Sequence, residues 1–231
     1  MKIFFMNCNK RYYSSWNDIR ESLRRKSIDI KDIDAFILAE ACHFNPKSEE
    51  FEVYDNTKKY KNALKIFSKK TFNEPEEIKY IVENDIIKKR YPDGHHRYRL
   101  LNFIVDKIRI TAVHVDHGWY NFIAMKALEA SIEKFKSDII IGDFNSGYIS
   151  DCLDVQEGGL IFQNGLLFFS KYEKLGYTDP LKNSDEYTFI NKRSNRKFRI
   201  DHCFIKKTSN YEVKYIDTLD ISDHKGILVT I

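Results

Sequence analysis

Short apolar runs along the chain alternate with stretches in which apolar residues recur every three or four positions. An apolar run of about four to eight residues favours a buried strand, whereas the longer spacing favours an amphipathic helix. The runs predict strands at residues 2–6, 35–39, 63–67, 78–82, 100–105, 107–115, 139–141, 187–190, 198–205, 211–216 and 226–231. The pair between residues 100 and 115 is expected to form a hairpin.

Three helices are predicted between these strands. The first is capped by Ser14 or Ser15, because serine at this position accepts a hydrogen bond from the first turn. The second covers about residues 120–135 and has a broad apolar face. The third covers residues 166–175 and ends at Gly176. No repeat or low-complexity linker interrupts the pattern, so we expect a single α/β domain with helices packed on a sheet core.

Composition and net charge permit an enzyme with an anionic substrate and argue against a membrane-spanning protein. Apolar residues make up 42% of the chain, which is enough for a large core. The net charge of +4 and the pI near 8.7 permit an anionic substrate. They are weaker than the pI above about 9 that is typical of a dedicated nucleic-acid-binding domain. No stretch approaches the roughly 18 apolar residues of a membrane helix, so we expect a cytoplasmic protein without a membrane span. We also expect a monomer.

Polar residues stand where several predicted strands end. Burial of such groups is costly unless they are paired or bound to a metal ion, and so many of them are unlikely to be independent. If they converge, they supply oxygen ligands for a hard cation and two imidazoles for proton transfer. These residues are Asn7, Glu40, His114, Asp143, Asn145, Asp201, Asp223 and His224.

Five segments resemble the motifs of one family. IGDFN, RIDH and SDHKGILVTI resemble the Gly-Asp-Phe-Asn, Arg-Ile-Asp and terminal Ser-Asp-His motifs of the endonuclease/exonuclease/phosphatase, or DNase I-like, superfamily. MNCN stands where that family has Trp-Asn, and LAE where it often has Gln-Glu. The five segments follow the family's order from residue 3 to residue 231, so the resemblance covers nearly the whole chain.

The resemblance implies a fold and a metal site. The fold is a four-layer α/β sandwich, in which two mostly antiparallel β-sheets pack face to face with helices outside. Glu40 would be the main ligand of Mg²⁺ (or Mn²⁺), with Asn7 and Asp223 near the same ion. Asp143 would orient or deprotonate the attacking water, and Asn145 would hold a phosphoryl oxygen.

The resemblance also implies a pair of histidines for proton transfer or charge stabilisation. Asp201 would orient His224, which contacts the phosphate or acts as general base. His114 would act as acid or stabilise the transition state. The chemistry supports this assignment, because an imidazole with a pKa near ~6.5 changes charge near neutrality and a buried carboxylate fixes its tautomer.

Each of these residues also has a structural interpretation. The GDFN segment is compatible with a simple turn, and His114 with a hydrogen-bonded core histidine. Asn9 competes with Asn7 for the same role, and Glu40 is compatible with a structural salt bridge. We favour the functional interpretation for all of them because the motifs occur together.

Three residues are candidates for contact with the substrate beyond the central site. Arg97 lies in a basic cluster with Arg99, which either touches a phosphate backbone or forms a solvated face. His117 and Trp119 either stack on a base or cap the following helix.

The four cysteines form no Cys-x-x-Cys pair, which argues against a zinc ribbon or a thioredoxin-like motif. A zinc site that combines Cys8, Cys42 or Cys203 with His43 or His202 is conceivable. We favour core thiols, because strand alternation points Cys8 away from Asn7.

These residues predict hydrolysis of a phosphoester by an activated water. The first hypothesis is a DNA endonuclease, with DNA preferred to RNA as substrate. The second is a phosphodiesterase or phosphatase that acts on a small-molecule or lipid-headgroup phosphoester. The third, from a different class, is a catalytically silent scaffold that binds a partner.

Overall fold

Two six-stranded sheets form the centre of the protein in a computed structural model that describes residues 1–9, 15–41, 51–57, 59–60, 62–79, 99–115, 119–148, 159–207 and 210–231. The first sheet contains β1 (Lys2–Asn7), β2 (Ala35–Ala39), β3 (Glu52–Asp55), β4 (Lys65–Ser68), β13 (Glu212–Ile216) and β14 (Gly226–Thr230). The second contains β5 (Glu76–Glu77), β6 (Leu100–Val105), β7 (Ile108–His114), β8 (Ile139–Asp143), β9 (Tyr177–Thr178) and β12 (Asp201–Lys206). Strands β10 (Phe189–Asn191) and β11 (Arg196–Phe198) form a separate hairpin.

Strand order is β13-β14-β1-β2-β4-β3 in the first sheet and β5-β6-β7-β8-β12-β9 in the second. In each sheet one central pair is parallel, β1 with β2 and β7 with β8, and the other pairs are antiparallel. The sheets are therefore mostly antiparallel, as predicted.

Within the described residues, three α-helices cover the outer faces of the sheets: α1 (Trp16–Arg25), α2 (Trp119–Phe135) and α3 (Gly159–Lys174). Ser15 caps α1 by accepting a hydrogen bond from the backbone of Asp18, whose carboxylate in turn accepts one from the backbone of Ser15. This reciprocal capping box satisfies two donors that the helix cannot satisfy itself. It selects Ser15 from the two predicted caps, and Ser14 lies outside the described residues.

Three apolar clusters show how the layers stack. The central cluster joins side chains of both sheets, such as Phe5 and Ile37 from the first and Phe103 and Ile141 from the second. A second cluster packs α2 and α3 on the outer face of the second sheet, and a third packs α1 on the outer face of the first. The order is helix, sheet, sheet, helices, which confirms the predicted four-layer α/β sandwich.

The structure corrects several predicted elements. The strand predicted at residues 198–205 is two strands, because the backbone of Ile200 and Asp201 turns aside to donate to the Thr188 hydroxyl. Strand β3 was not predicted, since its polar residues lie on an edge strand that pairs on one side. The strand predicted at residues 78–82 is instead Glu76–Glu77, and residues 80–82 lie outside the described residues. Helix α3 also begins earlier than predicted.

Within the described residues, no helix is both long and apolar enough to cross a membrane.

Candidate active site

The ends of neighbouring strands bring three predicted residues together on the second sheet. His114 ends β7 and lies opposite Asp143, which ends the parallel strand β8. Asp201 begins the antiparallel strand β12 and also lies opposite Asp143. All three side chains are buried. The carboxyl ends of β7 and β8 thus meet the amino end of β12 along one edge of the sheet, the edge that is formed by strand ends.

The same edge continues on the first sheet. Asn7 ends β1 opposite Ala39, so Glu40 follows one position beyond it. Asp223 and His224 directly precede β14, which runs antiparallel to β1. The side-chain amide of Asn7 donates to Asp143 Oδ2 at 2.9 Å and so connects the two sheets across the edge.

His224 and Asp201 form a buried pair at this edge. His224 Nδ1 lies 2.9 Å from Asp201 Oδ2. Burial by itself lowers the pKa of His224, but the charge and hydrogen bond of Asp201, with the charges of Asp143 and Asp223, outweigh it and raise that pKa from 6.5 to about 9. His224 therefore carries its proton at neutral pH, which favours contact with a phosphate over the general-base alternative.

Asp143 is held in place by two asparagines. Its Oδ1 accepts from the backbone N–H of Asn145 at 2.8 Å, and its Oδ2 accepts from the Asn7 amide and, at 3.3 Å, from the Asn145 amide. Asn145 has a φ of 44°, a left-handed conformation that asparagine tolerates better than most residues. Its amide also donates to Val115 O at 2.7 Å, so Asn145 binds chiefly to protein groups here.

Gly142 explains the glycine of the IGDFN segment. Its φ is 154°, and a Cβ atom at this position would lie 1.9 Å from Val113 O. Only glycine allows β7 and β8 to approach this closely. The close approach sets His114 directly beside Asp143.

His114 is enclosed by protein groups that fix its tautomer. Arg99 Nη2 lies 3.1 Å from His114 Nε2, and arginine has no acceptor, so Nε2 carries the lone pair. Nδ1 then carries the proton and donates to Asn62 O at 3.1 Å. Glu40 Oε1 lies 3.5 Å from Nε2. In this arrangement Nε2 carries no proton to donate, and Arg99 is the cation beside His114.

Arg99 is a site residue that the sequence interpretation undervalued. It was placed in a basic cluster with a solvated face as one alternative, yet it is buried, with 4% exposure. The signal was available, since Arg99 directly precedes the apolar strand β6.

The loop of residues 144–146 is held from the helical layer behind it. Asn121 on α2 donates to Phe144 O at 2.8 Å and accepts from the Ser146 hydroxyl at 2.9 Å. His202 Nε2 lies 3.0 Å from Ser146 O, and its Nδ1 lies 3.0 Å from Asp179 Oδ2. Because a carbonyl can only accept, His202 Nε2 carries a proton. These contacts fix the backbone on both sides of Asn145.

Solved structures that superpose on the chain include nucleases and a phosphatase. A 3'-5' exonuclease (NExo) from Neisseria meningitidis superposes with a TM-score of 0.67 at 17% identity, covering 100% of this chain and 99% of that chain. An AP endonuclease from Archaeoglobus fulgidus gives a TM-score of 0.68 at 16% identity, covering 100% and 99%. The chain has the DNase I-like fold. A 3' phosphatase NExo from Neisseria, bound to product DNA hairpin, also has this fold, with a TM-score of 0.64, 17% identity and coverage of 100% and 99%.

No family model matches the chain, and no curated protein matches it in sequence. The DNase I-like fold of the chain agrees with the resemblance of its five sequence segments to the motifs of that superfamily.

The buried acidic groups at the edge of this DNase I-like fold suit a divalent cation. Asp223 Oδ1 is buried and, within the described part of the chain, accepts no hydrogen bond. Its other oxygen accepts from the Asn9 amide at 2.7 Å, and Asn9 N donates to Asn7 Oδ1 at 3.0 Å. A carboxylate oxygen buried without a donor is stabilised when it binds a cation. Asn9 thus contacts both Asp223 and Asn7 and holds them in position.

A second group could also hold a cation by distance alone. Ligand atoms of Asp143, Asp201 and His224 lie within 4.8 Å of one another, and this group contains neither Glu40 nor Asp223. Both oxygens of Asp143 already accept hydrogen bonds, whereas Asp201 Oδ1, like Asp223 Oδ1, is buried and accepts none within the described residues. Burial and hydrogen bonding therefore leave two carboxylate oxygens that suit a cation, one on Asp201 and one on Asp223.

Three predicted contacts with the substrate are not described. Arg97 and His117 lie outside the described residues. Helix α2 begins at Trp119, whose side chain also lies outside the described part of the chain. Their contact with the substrate stays a prediction.

The structure favours core thiols over a zinc site. Cys8 and Cys203 are buried in two different apolar clusters, and His202 is engaged by Asp179 and Ser146. Cys42 and His43 lie outside the described residues.

Proposed function

We propose that the protein is a divalent-metal-dependent phosphodiesterase that cleaves DNA. The observation that carries the proposal is the combination of the charged His224 with the buried, donor-free oxygen of Asp223 at one edge of a DNase I-like fold. The site therefore offers a cation for a phosphate and an oxygen ligand for a metal.

DNA is proposed as substrate because of what the solved structures with this fold do. They include an exonuclease, an AP endonuclease and a 3' phosphatase bound to product DNA hairpin. None of these three proteins is described as acting on RNA or on a lipid headgroup.

We assign the metal to Glu40, Asn7 and Asp223, which lie on three adjacent strands of the first sheet or directly beside them. A bound Mg²⁺ or Mn²⁺ would stabilise the negative charge that grows on the phosphoryl oxygens. Carboxylate and amide oxygens are the ligands that these hard cations prefer.

Asp143 is assigned to the attacking water. The hydrogen bonds from Asn7 and Asn145 keep its carboxylate oriented, so that it can orient a water or accept its proton. The longer bond from the Asn145 amide to Asp143, at 3.3 Å, is the one that Asn145 would exchange for a phosphoryl oxygen.

The histidines take different roles. His224, held by Asp201, donates from Nε2 to a phosphoryl oxygen as a cation. His114 Nε2 accepts from Arg99, so Arg99 provides the positive charge on this side of the site. Acid catalysis by His114 would require Arg99 to move.

A panel of substrates tests this function. Supercoiled plasmid, single-stranded DNA, RNA and bis(4-nitrophenyl) phosphate are incubated with the protein in Mg²⁺ or Mn²⁺, with and without a chelator. We expect metal-dependent cleavage of DNA that falls at least about 100-fold in His224→Ala and is unchanged in Glu212→Gln, an exposed residue on β13. Cleavage of bis(4-nitrophenyl) phosphate without cleavage of DNA would contradict the proposed substrate. If neither metal supported cleavage of any member of the panel, the proposed function would be wrong.

A further inference from the structure

Six lysines gather at the end of the second sheet that lies opposite the candidate active site. The backbone N–H of Asp138 donates to Arg109 O at 2.7 Å, and that of Lys206 donates to Asp138 O at 3.1 Å. The backbone N–H of Lys207 donates to Gly176 O at 2.9 Å. These bonds join four segments of the chain, and each segment carries lysine within four residues of the bonded groups. We call this surface the basic end, which consists of Lys107, Lys134, Lys136, Lys174, Lys206 and Lys207.

The lysines of the basic end are not neutralised by ion pairs. Within the part of the chain that the structure describes, none of the six forms a salt bridge, whereas their neighbour Arg109 pairs with Asp138. Five of the six are exposed, and Lys206 is half-buried. Two acidic residues without an ion pair, Asp106 and Glu133, lie among them. The basic end therefore keeps an excess of positive charge that faces solvent.

Two of these lysines occupy backbone conformations that favour glycine. Lys107 has a φ of 74° in the two-residue turn between β6 and β7, and Lys136 has a φ of 54° directly after α2. Glycine and asparagine are the common residues at both kinds of position, because most side chains are strained there. The sequence thus places a positive charge at two positions where lysine does not favour the fold, which indicates a role for the charge itself.

The basic end is separate from the candidate active site. Strand β8 runs from Ile139, beside the basic end, to Asp143 in the site, and this length of strand spans roughly 15 Å. Across the sheet, neighbouring strands lie about 4.8 Å apart, so the row from β7 through β8 and β12 to β9 also spans roughly 15 Å. A DNA duplex carries roughly nine phosphate charges over that length.

The character of this surface fits nucleic acid better than a membrane. Lysine contacts to phosphates are independent of base sequence and are driven by the release of counterions. Peripheral membrane binding also uses lysine, but it depends on a large apolar face that enters the lipid. Among the described exposed apolar side chains, Leu175 alone adjoins one of these lysines in sequence.

We infer that the basic end is a second binding surface for nucleic acid, which holds the phosphate backbone of a segment other than the one at Asp143. The inference goes beyond the proposed function, because that function concerns only the site at the other end of β8. The basic end raises the affinity of the protein for a polynucleotide and leaves the chemistry of the site unchanged.

The test measures binding of DNA separately from cleavage. Fluorescence anisotropy gives the Kd of a labelled 30-base-pair duplex in the presence of a chelator, over a range of salt concentrations. The variant of the basic end is Lys107→Gln/Lys136→Gln/Lys207→Gln. Turnover of bis(4-nitrophenyl) phosphate with metal, measured in parallel, reports on the active site.

A matched control removes three exposed lysines elsewhere. It is Lys26→Gln/Lys31→Gln/Lys214→Gln, whose residues lie on β13 or on the segment between α1 and β2. Vesicles of phosphatidylserine and phosphatidylcholine serve as a second ligand, so that a membrane surface is distinguished from nucleic acid.

We expect the Kd of the duplex to rise at least about tenfold in the variant of the basic end and to change less than twofold in the control. The dependence of log Kd on log salt should become shallower by about 2 to 3, since each phosphate contact contributes roughly 0.9. Turnover of bis(4-nitrophenyl) phosphate should be unchanged in both variants.

The double variant Lys107→Gly/Lys136→Gly separates the charge from the fold. Glycine relieves both left-handed conformations, so the Tm should not fall, whereas binding of the duplex should still weaken. If the two lysines served the fold alone, the Tm and the affinity would fall together.

Equal effects of the two triple variants on the duplex would overturn the inference. Binding of the vesicles, and not of the duplex, through the basic end would also overturn it, in favour of an anionic membrane. Both results leave the proposed function intact, because cleavage with metal is measured separately. A wild type that binds the duplex through the basic end and cleaves no substrate with metal would instead remove the proposed function and leave this inference standing.

Discussion

Asp201 acts on His224 through both charge and a hydrogen bond. The carboxylate raises the pKa of the imidazole and accepts from Nδ1, so the other ring nitrogen is presented to the site. The Thr188 hydroxyl accepts a hydrogen bond from the backbone N–H of Asp201 and so fixes the position of the backbone that carries the carboxylate. Asp201 thus contributes to both the charge and the orientation of the His224 ring.

Replacement Asp201→Asn should reduce cleavage at least about 100-fold with little change in fold. The amide keeps the shape of the side chain but removes the negative charge, and its N–H₂ group can face Nδ1 and reverse the tautomer. Initial rates are compared with those of Glu212→Gln at equal protein concentration. Rates within threefold of wild type would show that the charge of Asp201 is not needed.

Asp223 and Asp143 should differ in how much each of them contributes to the affinity of the site for a metal ion. Because Asp223 has a buried oxygen without a donor, Asp223→Asn should weaken Mn²⁺ binding at least about tenfold. Asp143→Asn should weaken it less than about threefold, since both Asp143 oxygens already accept hydrogen bonds. Calorimetric titration measures both constants without any substrate. The opposite order of the two variants would place the ion between Asp143, Asp201 and His224.

At the scale of elements, the 144–146 loop depends on His202 of β12 and on the rings packed around it. His202 lies among the rings of Phe144, Tyr148 and Phe169, with centroids 4.7 to 5.8 Å away. Its nitrogens reach Asp179 on one side and Ser146 on the other. The ring therefore combines apolar packing with two buried hydrogen bonds.

Replacement His202→Phe should keep the packing and remove both hydrogen bonds. Each buried group left unsatisfied costs about 1–3 kcal/mol, so the free energy of unfolding should fall by several kcal/mol. The value of kcat should fall more than KM changes, because Asn145 and Asp143 shift with the loop. The double variant His202→Phe/Asp179→Asn should recover part of the stability, since it removes the charge that His202 leaves behind. An unchanged kcat in His202→Phe would mean that the loop holds its position without this contact.

Strands β3 and β4 are joined by a buried ion pair. Lys65 Nζ lies 3.0 Å from Asp55 Oδ2, and the Lys65 side chain is 1% exposed. Burial alone raises the pKa of Asp55, but the hydrogen bonds of Thr57 and Lys65, with the charge of Lys65, outweigh it and lower that pKa below 3.8. A carboxyl whose pKa is lowered on folding stabilises the fold above its unfolded pKa and loses this contribution as the pH falls.

Asp55→Asn should therefore lower the free energy of unfolding by about 1–3 kcal/mol at pH 7. The difference from wild type should shrink as the pH falls through 3.8 and below, where Asp55 becomes protonated in the wild type too. Urea unfolding at a series of pH values measures this difference, with Glu212→Gln as control. A difference that stays constant down to pH 2.5 would mean that the ion pair does not stabilise the fold.

At the scale of the whole molecule, the sequence predicted the features that follow from local patterns of apolar and polar residues. Apolar runs located most strands of both sheets, and the polar residues at their ends marked the edge where the site lies. The register of β7, β8 and β12 then brings His114, Asp143 and Asp201 together, as strand geometry requires.

Contacts between distant segments could not be predicted in this way. Asn7 donates to Asp143 across 136 residues, so its orientation depends on how the two sheets pack. Arg99 and His202 are polar side chains whose burial depends on partners that are 15 and 56 positions away in the sequence. Edge strand β3 has no apolar alternation, because one of its sides pairs with no strand. That one domain spans residues 1–231 stays a prediction.

The initial rate of plasmid nicking as a function of Mg²⁺ concentration tests metal-dependent hydrolysis most directly. Wild type, Asp143→Asn and Glu212→Gln are compared under one set of conditions, and a chelator is added at the end of each titration. We predict nicking that rises with Mg²⁺ to saturation in wild type and Glu212→Gln, stops on chelation, and is at least about 100-fold slower in Asp143→Asn. Nicking that persists in chelator, or that proceeds equally fast in Asp143→Asn, would contradict it.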